Sequence, residues 1–168
     1  MKYISYYDSP LGSILLASDG KSLTGLWFAN QKYYAKNLDN DALEKSLEIF
    51  ALTKKWLDLY FKGLNPDFNI PIKFYGTDFQ NRVWQSLLDI PYGYITTYGD
   101  LASLLHTSAR AVGTAVGKNP ISIIVPCHRV VGKNNSLTGY AGGIDKKEYL
   151  LKLESTNIAN NNEKQVDS

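Results

Sequence analysis

The sequence has very little cysteine and histidine. Its 168 residues include one cysteine, Cys127, and two histidines. A single cysteine excludes an intramolecular disulfide, and one cysteine with two histidines cannot complete a four-ligand zinc site. The sequence therefore predicts no structural metal.

Long apolar runs are missing as well. The longest aliphatic stretch, residues 121–125, is interrupted by Ser122, and it is far shorter than the roughly 20 residues that span a bilayer. Residues 1–6 lack the apolar region and the cleavage site of an export signal. We therefore expect no transmembrane helix and a cytoplasmic location. The composition, 44% hydrophobic and 20% charged, fits one compact domain or two small ones.

Acidic residues are absent from one long segment, although the net charge of the whole chain is only +2. The segment between Asp100 and Asp145 contains four basic residues, Arg110, Lys118, Arg129 and Lys133. Such a segment could face a polyanion, or it could be an ordinary solvated loop region. The charge pattern alone does not decide between these interpretations.

The first 72 residues have the patterns of a small sheet covered by a helix. Alternating residues in segments 2–7, 13–18 and 23–28, separated by turn sequences, predict an antiparallel β-meander. Apolar residues at helical spacing from Leu43 to Phe61, ended by Gly63, predict a long helix on that sheet. We place a domain boundary near residue 72.

Residues 73–155 have mainly helical patterns. Thr77 and Gln80 form a predicted capping box. A short helix from Thr97 to about Leu105 and a second from Ala109 to about Gly117 have helix-turn-helix spacing. Such helix pairs also occur in proteins that never contact nucleic acid. The predicted fold class is α/β of the α+β kind, with a polar, Asn-rich tail at residues 156–168 that we expect to be disordered.

Arg110 lies in the first turn of the second predicted helix, where its charge opposes the helix dipole. This unfavourable placement suggests an external partner, such as a phosphate or a base. Small residues at Ala111, Gly113, Ala115 and Gly117 would allow that helix to approach another surface closely. Tight packing on a neighbouring helix is the alternative explanation.

Residues 121–131 are interpreted as an apolar strand that delivers Cys127 and His128 into a turn after Pro126. A lone cysteine is usually a small buried hydrophobe. Here the His128 imidazole and the Arg129 guanidinium would favour the thiolate, which is the nucleophilic form. Neighbouring side chains of an extended chain point to opposite faces, so a water could link the thiol to the imidazole.

Residues 146–154 have the pattern of an amphipathic helix. Its last residue, Glu154, is a candidate to orient the imidazole of His128. The alternative is a carboxylate on a solvated surface.

Several motifs occur together around these residues. The first motif is Pro126-Cys127-His128-Arg129-Val130-Val131, and it follows Arg110-Ala111-Val112-Gly113 and Lys118-Asn119-Pro120. Further motifs are Asp8-Ser9-Pro10-Leu11-Gly12, Thr97-Tyr98-Gly99-Asp100-Leu101-Ala102 and Gly139-Tyr140-Ala141-Gly142-Gly143. On these motifs the chain, from about residue 3 to 154, resembles the O6-alkylguanine-DNA alkyltransferases.

The resemblance implies a methylated-DNA-protein-cysteine methyltransferase that acts once. Cys127 would accept the alkyl group by in-line displacement, after which the protein is spent. His128 would contact the thiol through water, with Glu154 orienting the imidazole and Asn119 supporting the turn. Tyr98 would help to protonate the leaving guanine and would reach a DNA phosphate.

The resemblance also implies a partner, double-stranded DNA that contains O6-alkylguanine, with O4-alkylthymine as a further candidate substrate. The damaged nucleotide would rotate out of the duplex, and Arg110 would fill the gap. The second motif helix would lie in the minor groove, where Ala109, Ala111 and Gly113 permit close approach. The flipped base would contact the Cys127 and Val130 carbonyls, the Ala141 amide and the Tyr140 side chain.

The sequence departs from the family pattern in three places. Ala141 stands where some members have serine, and the turn at residues 106–108 is two residues shorter than in many relatives. The cysteine ligands of a zinc site found in some relatives have no counterpart, since Cys127 is the only cysteine. We therefore expect no metal. We also expect a monomer and no cofactor.

Three other functions remain open at this stage. A non-catalytic alkyltransferase-like sensor would normally lack the acceptor cysteine, which is present here. A helix-turn-helix regulator would not need the Cys127 motif and would bind as a symmetric dimer. A thiol hydrolase would turn over repeatedly rather than stop at one equivalent.

Overall fold

Three antiparallel strands form the meander that the sequence predicts. The computed structural model describes residues 2–36, 38–137 and 140–166. The strands are β1 (Tyr3–Ser9), β2 (Gly12–Ser18) and β3 (Leu23–Phe28). β2 lies between its neighbours, and its alternation is two-sided: Ile14 and Leu16 enter the main core, whereas Leu15 and Ala17 join Trp27 in a smaller cluster on the other face.

The helix predicted from Leu43 begins later than expected. Leu43 and Glu44 form a short strand, β4, which pairs in parallel with β1, and helix α1 runs from Glu48 to Phe61. The helical spacing was misleading at Leu43 because its backbone N–H donates to the Lys2 carbonyl at the sheet edge. The helix ends before Gly63, whose φ of +88° turns the chain, and its apolar side packs onto the sheet as predicted.

The second half contains the predicted helices. They are α2 (Asp78–Leu87), α3 (Tyr98–Leu104), α4 (Ala109–Gly117) and α5 (Ile144–Val166), with two short strands, β5 (Thr96–Thr97) and β6 (Val130–Val131), paired in parallel. The capping box of α2 is present, with reciprocal bonds between Thr77 and Gln80. The fold is therefore mixed α+β, with the sheet at the N-terminal end and helices after it.

The strand predicted at residues 121–125 is wrong. This segment forms turns, and residues Cys127–Arg129 form one turn of 3₁₀ helix. Apolar composition suggested a strand, but Ile123 has a φ of +69°, which breaks an extended conformation. Backbone bonds instead dock the segment on β3: the Leu26 amide donates to Pro120 and the Ser122 amide donates to Leu26.

The predicted disordered tail is also wrong over residues 156–166, because α5 continues through it to Val166. The segment from Ile144 to Val166 contains no proline or glycine to end the helix. Residues 167 and 168 lie outside the described residues. The division into domains at residues 1–72 and 73–155 stays a prediction, since side chains from both segments share one hydrophobic core. None of the helices in the described part of the chain combines the length and apolarity of a bilayer-spanning helix.

Candidate active site and nucleic-acid interface

Asn119 holds the turn that presents Cys127. The buried Asn119 amide donates to the Val125 carbonyl at 2.9 Å and to Ile121 at 3.3 Å, and its oxygen accepts the Ile121 amide at 3.0 Å. Cys127 follows immediately, with its own amide bonded to Val125 at 2.8 Å. The Asn119 side chain therefore bonds both the start and the end of the turn, and this position is compatible with the supporting role expected of it.

The thiol of Cys127 is buried, with 4% of the residue exposed. Burial raises its pKa to about 11, although the Asn119 hydrogen bond and the Lys147 ammonium act in the opposite direction. We expected His128 and Arg129 to be the cations that favour the thiolate, and both the identity of the cation and the state of the thiol need correction. The nearby cation is Lys147, and the resting group is a thiol because burial outweighs it. Deprotonation therefore requires a base during the reaction.

His128 and Glu154 form a buried pair at the predicted position. His128 Nε2 lies 2.5 Å from Glu154 Oε2, and the two residues are 0% and 1% exposed. Because a carboxylate only accepts hydrogen bonds, Nε2 carries the proton. Nδ1 is then left with its lone pair, and it has no hydrogen-bond partner among the described residues. Burial lowers the pKa of His128, so the imidazole is neutral and suited to accept a proton.

Glu154 accepts hydrogen bonds from four residues in three parts of the chain. Besides His128, its two oxygens accept the Tyr60 hydroxyl at 2.6 Å, Arg129 Nε at 2.7 Å and the Gly93 amide at 3.1 Å. Burial alone would raise the pKa of Glu154, but His128 and Arg129 hold it well below its usual range. The alternative of a solvated surface carboxylate is therefore wrong.

Sequence reasoning missed two buried polar residues at the site. Tyr60, from α1, is fully buried against Glu154. Lys147, from α5, donates to the Val130 carbonyl at 2.5 Å, and its ammonium lies 5.6 Å from the ring centre of Tyr98. Burial lowers the pKa of Lys147 to about 8. Neither residue carries a local signal, because each is one of many lysines and tyrosines in a chain with 12 tyrosines.

A cavity of about 1180 Å³ lies beside this site. Six of the predicted residues line it: Tyr98, Ala109, Arg110, Gly113, Tyr140 and Ala141. Burial raises the pKa of Tyr98 to about 12 and also raises that of Tyr140, and a thiolate at Cys127 adds to both shifts when it forms. Both phenols therefore stay protonated and lie near the thiol. Ala111 and Val130 are not among the lining residues, and Val130 is fully buried.

Helix α4 forms one wall of the cavity. The Ser108 side chain caps it by accepting the Ala111 amide at 3.1 Å, and no acidic residue occupies its first turn. Arg110 is exposed on this wall. A Cβ atom added at Gly113 would lie 3.8 Å from the Tyr98 ring and in ordinary contact. The absence of a side chain at Gly113 is therefore not required by packing within the protein.

The opposite wall comes from a loop after β3. Lys32 and Tyr33 line the cavity, and the Lys32 amide donates to the Ala141 carbonyl at 3.1 Å. Three ammonium groups, those of Lys32, Lys36 and Lys118, lie 5.2–5.7 Å from the Tyr33 ring centre. Two tyrosines between Lys32 and Lys36 could have signalled this basic, aromatic surface. Among the described residues, no cluster of three or more His, Cys, Asp or Glu side chains is placed to hold a metal ion.

Comparison with known protein families matches both halves of the chain. Residues 2–74 match the ribonuclease-like domain of 6-O-methylguanine DNA methyltransferase, and residues 78–156 match the DNA binding domain of 6-O-methylguanine DNA methyltransferase. Together the two matches span most of the chain.

Individual proteins resemble the chain over nearly its whole length. The methylated-DNA-protein-cysteine methyltransferase of Haemophilus influenzae is 45% identical over 157 residues, which cover 90% of this chain and 86% of that protein. The protein of the same name from Methanosarcina acetivorans is 43% identical, with 92% and 99% covered. The solved structure of OGT from Mycobacterium tuberculosis in complex with DNA has a TM-score of 0.83 and 41% identity, with 92% and 94% covered.

Proposed function

The chain belongs to the O6-methylguanine DNA methyltransferase family, which repairs DNA by alkyl transfer to a protein cysteine, and we propose that Cys127 is the acceptor. DNA is its partner. The observation that carries the assignment is the position of Cys127. The chain's one cysteine lies at the turn held by Asn119 and next to the His128–Glu154 pair, beside a cavity lined by the predicted DNA-binding residues.

The proposed reaction is a single displacement. Sγ of Cys127 attacks the alkyl carbon on O6 of guanine, a carbon–sulfur bond forms, and the carbon–oxygen bond breaks with its electron pair going to guanine. The resting thiol first gives its proton to Nδ1 of His128 through a bridging water, and Glu154 stabilises the imidazolium. Tyr98, whose raised pKa keeps its hydroxyl protonated, donates a proton to the leaving base and takes one back from solvent as the His128 imidazolium releases the thiol proton. The product is restored guanine and a thioether, so each molecule reacts once.

The substrate in this proposal is O6-alkylguanine in double-stranded DNA, with O4-alkylthymine as a further candidate. Cys127 is buried, and two of the cavity's lining residues, Tyr98 and Tyr140, interact with it. A stacked base could not reach such a thiol, so the nucleotide must rotate out of the duplex. The base would then lie against Tyr140 and Ala141, which line the cavity.

The DNA would contact the cavity rim through the helix-turn-helix formed by α3 and α4. Helix α4 would enter the minor groove, where Ala109, Ala111 and Gly113 permit close approach and Arg110 fills the space of the flipped nucleotide. We further propose that the protein acts as a monomer in the cytoplasm, and that residues 73–155 form the DNA-binding and transfer domain.

Mass spectrometry tests this function directly. The protein is mixed with an excess of a duplex that contains one O6-methylguanine, and intact and peptide masses are measured. One added methyl group on the Cys127 peptide, reached once per molecule, supports the proposal. The Cys127→Ser variant is the control, and it should bind the duplex without gaining mass. Tight binding with unmodified Cys127 would instead favour a non-catalytic sensor. Sequence-selective binding as a dimer would favour a regulator, and repeated turnover would favour a hydrolase.

A further inference from the structure

Helix α1 reaches the active site through one side chain. The Tyr60 hydroxyl donates to Glu154 Oε2 at 2.6 Å, and the same oxygen accepts His128 Nε2 at 2.5 Å. Tyr60 and His128 are both fully buried, so water does not compete for this oxygen. One carboxylate oxygen is therefore shared between a phenol from the N-terminal half and the imidazole next to Cys127.

Tyr60 and His128 compete for the negative charge of the shared Glu154 oxygen. A hydrogen bond from Tyr60 withdraws negative charge from Oε2 and so reduces the stabilisation that Glu154 gives to a protonated imidazole. The Tyr60 ring is held in place independently of its hydroxyl, since it stacks on Trp56 with ring centres 5.3 Å apart and planes 9° apart. The pKa of Tyr60 is raised well above its ordinary value, chiefly by burial and then by Glu154, so the hydroxyl remains a donor.

We propose that Tyr60 is a positioning residue for alkyl transfer: its hydroxyl fixes the Glu154 carboxylate and limits the basicity of His128. This inference rests on the proposed role of His128 as the base that accepts the Cys127 proton. It extends that function to the N-terminal half, because a helix outside the proposed transfer domain would then tune the chemistry.

Other charged and titratable groups face this pair, and all of them are retained in the test below. Arg129 bonds the second oxygen of Glu154, and the remaining groups are Lys147, Cys127, Tyr92 and Tyr140. A change confined to the Tyr60 hydroxyl therefore isolates its own effect.

The experiment compares the Tyr60→Phe variant with the wild-type chain. Single-turnover transfer from an O6-methylguanine duplex is measured from pH 5 to 9, and the pKa of His128 in the unreacted protein is measured by NMR, with exposed His106 as the internal reference. Without the hydroxyl, the full charge of Oε2 faces His128. The pKa of His128 and the acidic limb of the rate profile should both move up by about half a pH unit or more.

A control removes a tyrosine hydroxyl of β1 that donates to another carboxylate in an exposed hydrogen bond. Tyr7 donates to Asp58 of α1, also at 2.6 Å, and Tyr7→Phe should leave both readouts unchanged. A second variant acts in the opposite direction and keeps the hydroxyl: 3,5-difluorotyrosine at position 60 is a stronger donor, so it should move the limb to lower pH even if Tyr60→Phe folds poorly.

The outcomes separate the two proposals. Opposite shifts for the two Tyr60 variants support the positioning role. A rate that falls equally at every pH, or an unchanged His128 pKa, overturns it and leaves Tyr60 as a packing residue. If the wild-type protein transfers no methyl group, the proposed function fails, whereas the NMR measurement still reports whether Tyr60 acts on His128.

Discussion

The ammonium of Lys147 donates a hydrogen bond to the backbone carbonyl of Val130, with Nζ 2.5 Å from the oxygen. This contact ties α5 to the chain just after the 3₁₀ turn that contains Cys127. It also places a buried cation where its charge lowers the pKa of the thiol. Lys147, which no local sequence pattern singled out, thus both holds the turn of Cys127 against α5 and lowers the pKa of the thiol.

Removing that cation should slow alkyl transfer. In Lys147→Met the thiol loses the charge that opposes the effect of burial, so the pKa of Cys127 should rise and less thiolate form at neutral pH. Each unit of pKa corresponds to about a tenfold change in thiolate population, and we expect a decrease on the order of tenfold in the single-turnover rate. Lys152→Met, an exposed lysine of the same helix, is the control. Equal rates for the two variants would exclude an electrostatic role for Lys147.

Replacing Glu154 should destabilise the fold, because the change leaves a buried arginine without its carboxylate partner. In Glu154→Gln the Arg129 guanidinium loses its carboxylate, and breaking a buried ion pair in this way costs about 3–5 kcal/mol of unfolding free energy. Urea unfolding at pH 7 measures the loss. Glu148→Gln, an exposed carboxylate on the same helix, should change stability little.

The same variant has a defined pH dependence. The folded pKa of Glu154 lies below its unfolded value, so its contribution is present above the unfolded pKa of about 4.3 and is lost as the pH falls toward the folded pKa. The stability that the Glu154 carboxylate contributes over Glu154→Gln should therefore narrow as the pH falls below about 4. A difference that stays constant into strong acid would show that the carboxylate is not ionised in the native protein.

Stability and DNA binding should change in opposite directions at Gly113. Alanine fits, since its Cβ would lie 3.8 Å from Tyr98, and a helical Gly→Ala change stabilises by roughly 0.5–1 kcal/mol. The added methyl group projects into the cavity that Gly113 lines, so duplex affinity should fall. Thermal unfolding and fluorescence anisotropy with a labelled duplex measure the two effects. Loss of stability would instead support the alternative that small residues serve packing within the protein.

Sequence patterns within a short segment correctly predicted the elements that depend on residues close together in the chain. The meander follows from alternation and turn residues, and α2 follows from the Thr77–Gln80 capping box. Residues 121–125 were wrongly assigned to a strand. Their apolar composition shows neither the hydrogen bonds from the Asn119 side chain to this turn nor the positive φ of Ile123. Propensity is overridden where such bonds form.

The active site was predicted only in part for a related reason. Residue chemistry singled out Cys127 and His128, the helical pattern of residues 146–154 offered Glu154, and the motif resemblance then implied their roles. The structure brings His128 and Glu154 together across 26 residues. Tyr60 lies 94 positions from Glu154, and Arg129 donates to the Ile90 carbonyl 39 positions away. Contacts at such separations depend on how the two halves pack, which no pattern within a single element encodes.

Arg110 provides the test of base flipping. In the proposed mechanism its side chain fills the space that the rotated nucleotide leaves, a task that exists only in duplex DNA. Arg110→Ala should therefore slow transfer from a duplex by about tenfold or more, as expected for a lost contact of 1.4 kcal/mol, and should leave transfer from the free base O6-benzylguanine nearly unchanged. Because Arg110 is an exposed residue lining the cavity, the substitution should not disturb the fold.

The matched control is Arg82→Ala, which removes the same charge from a site outside the cavity, where Arg82 donates to the Leu105 carbonyl. General attraction of DNA to positive charge would slow both arginine variants alike, whereas a gap-filling role slows only Arg110→Ala. Measuring both variants at two salt concentrations sharpens the comparison, because phosphate contacts weaken with salt and insertion into the stack depends on it less. If Arg110→Ala slows the duplex and the free-base reactions equally, Arg110 acts on the chemistry of the site and not on the rotated nucleotide.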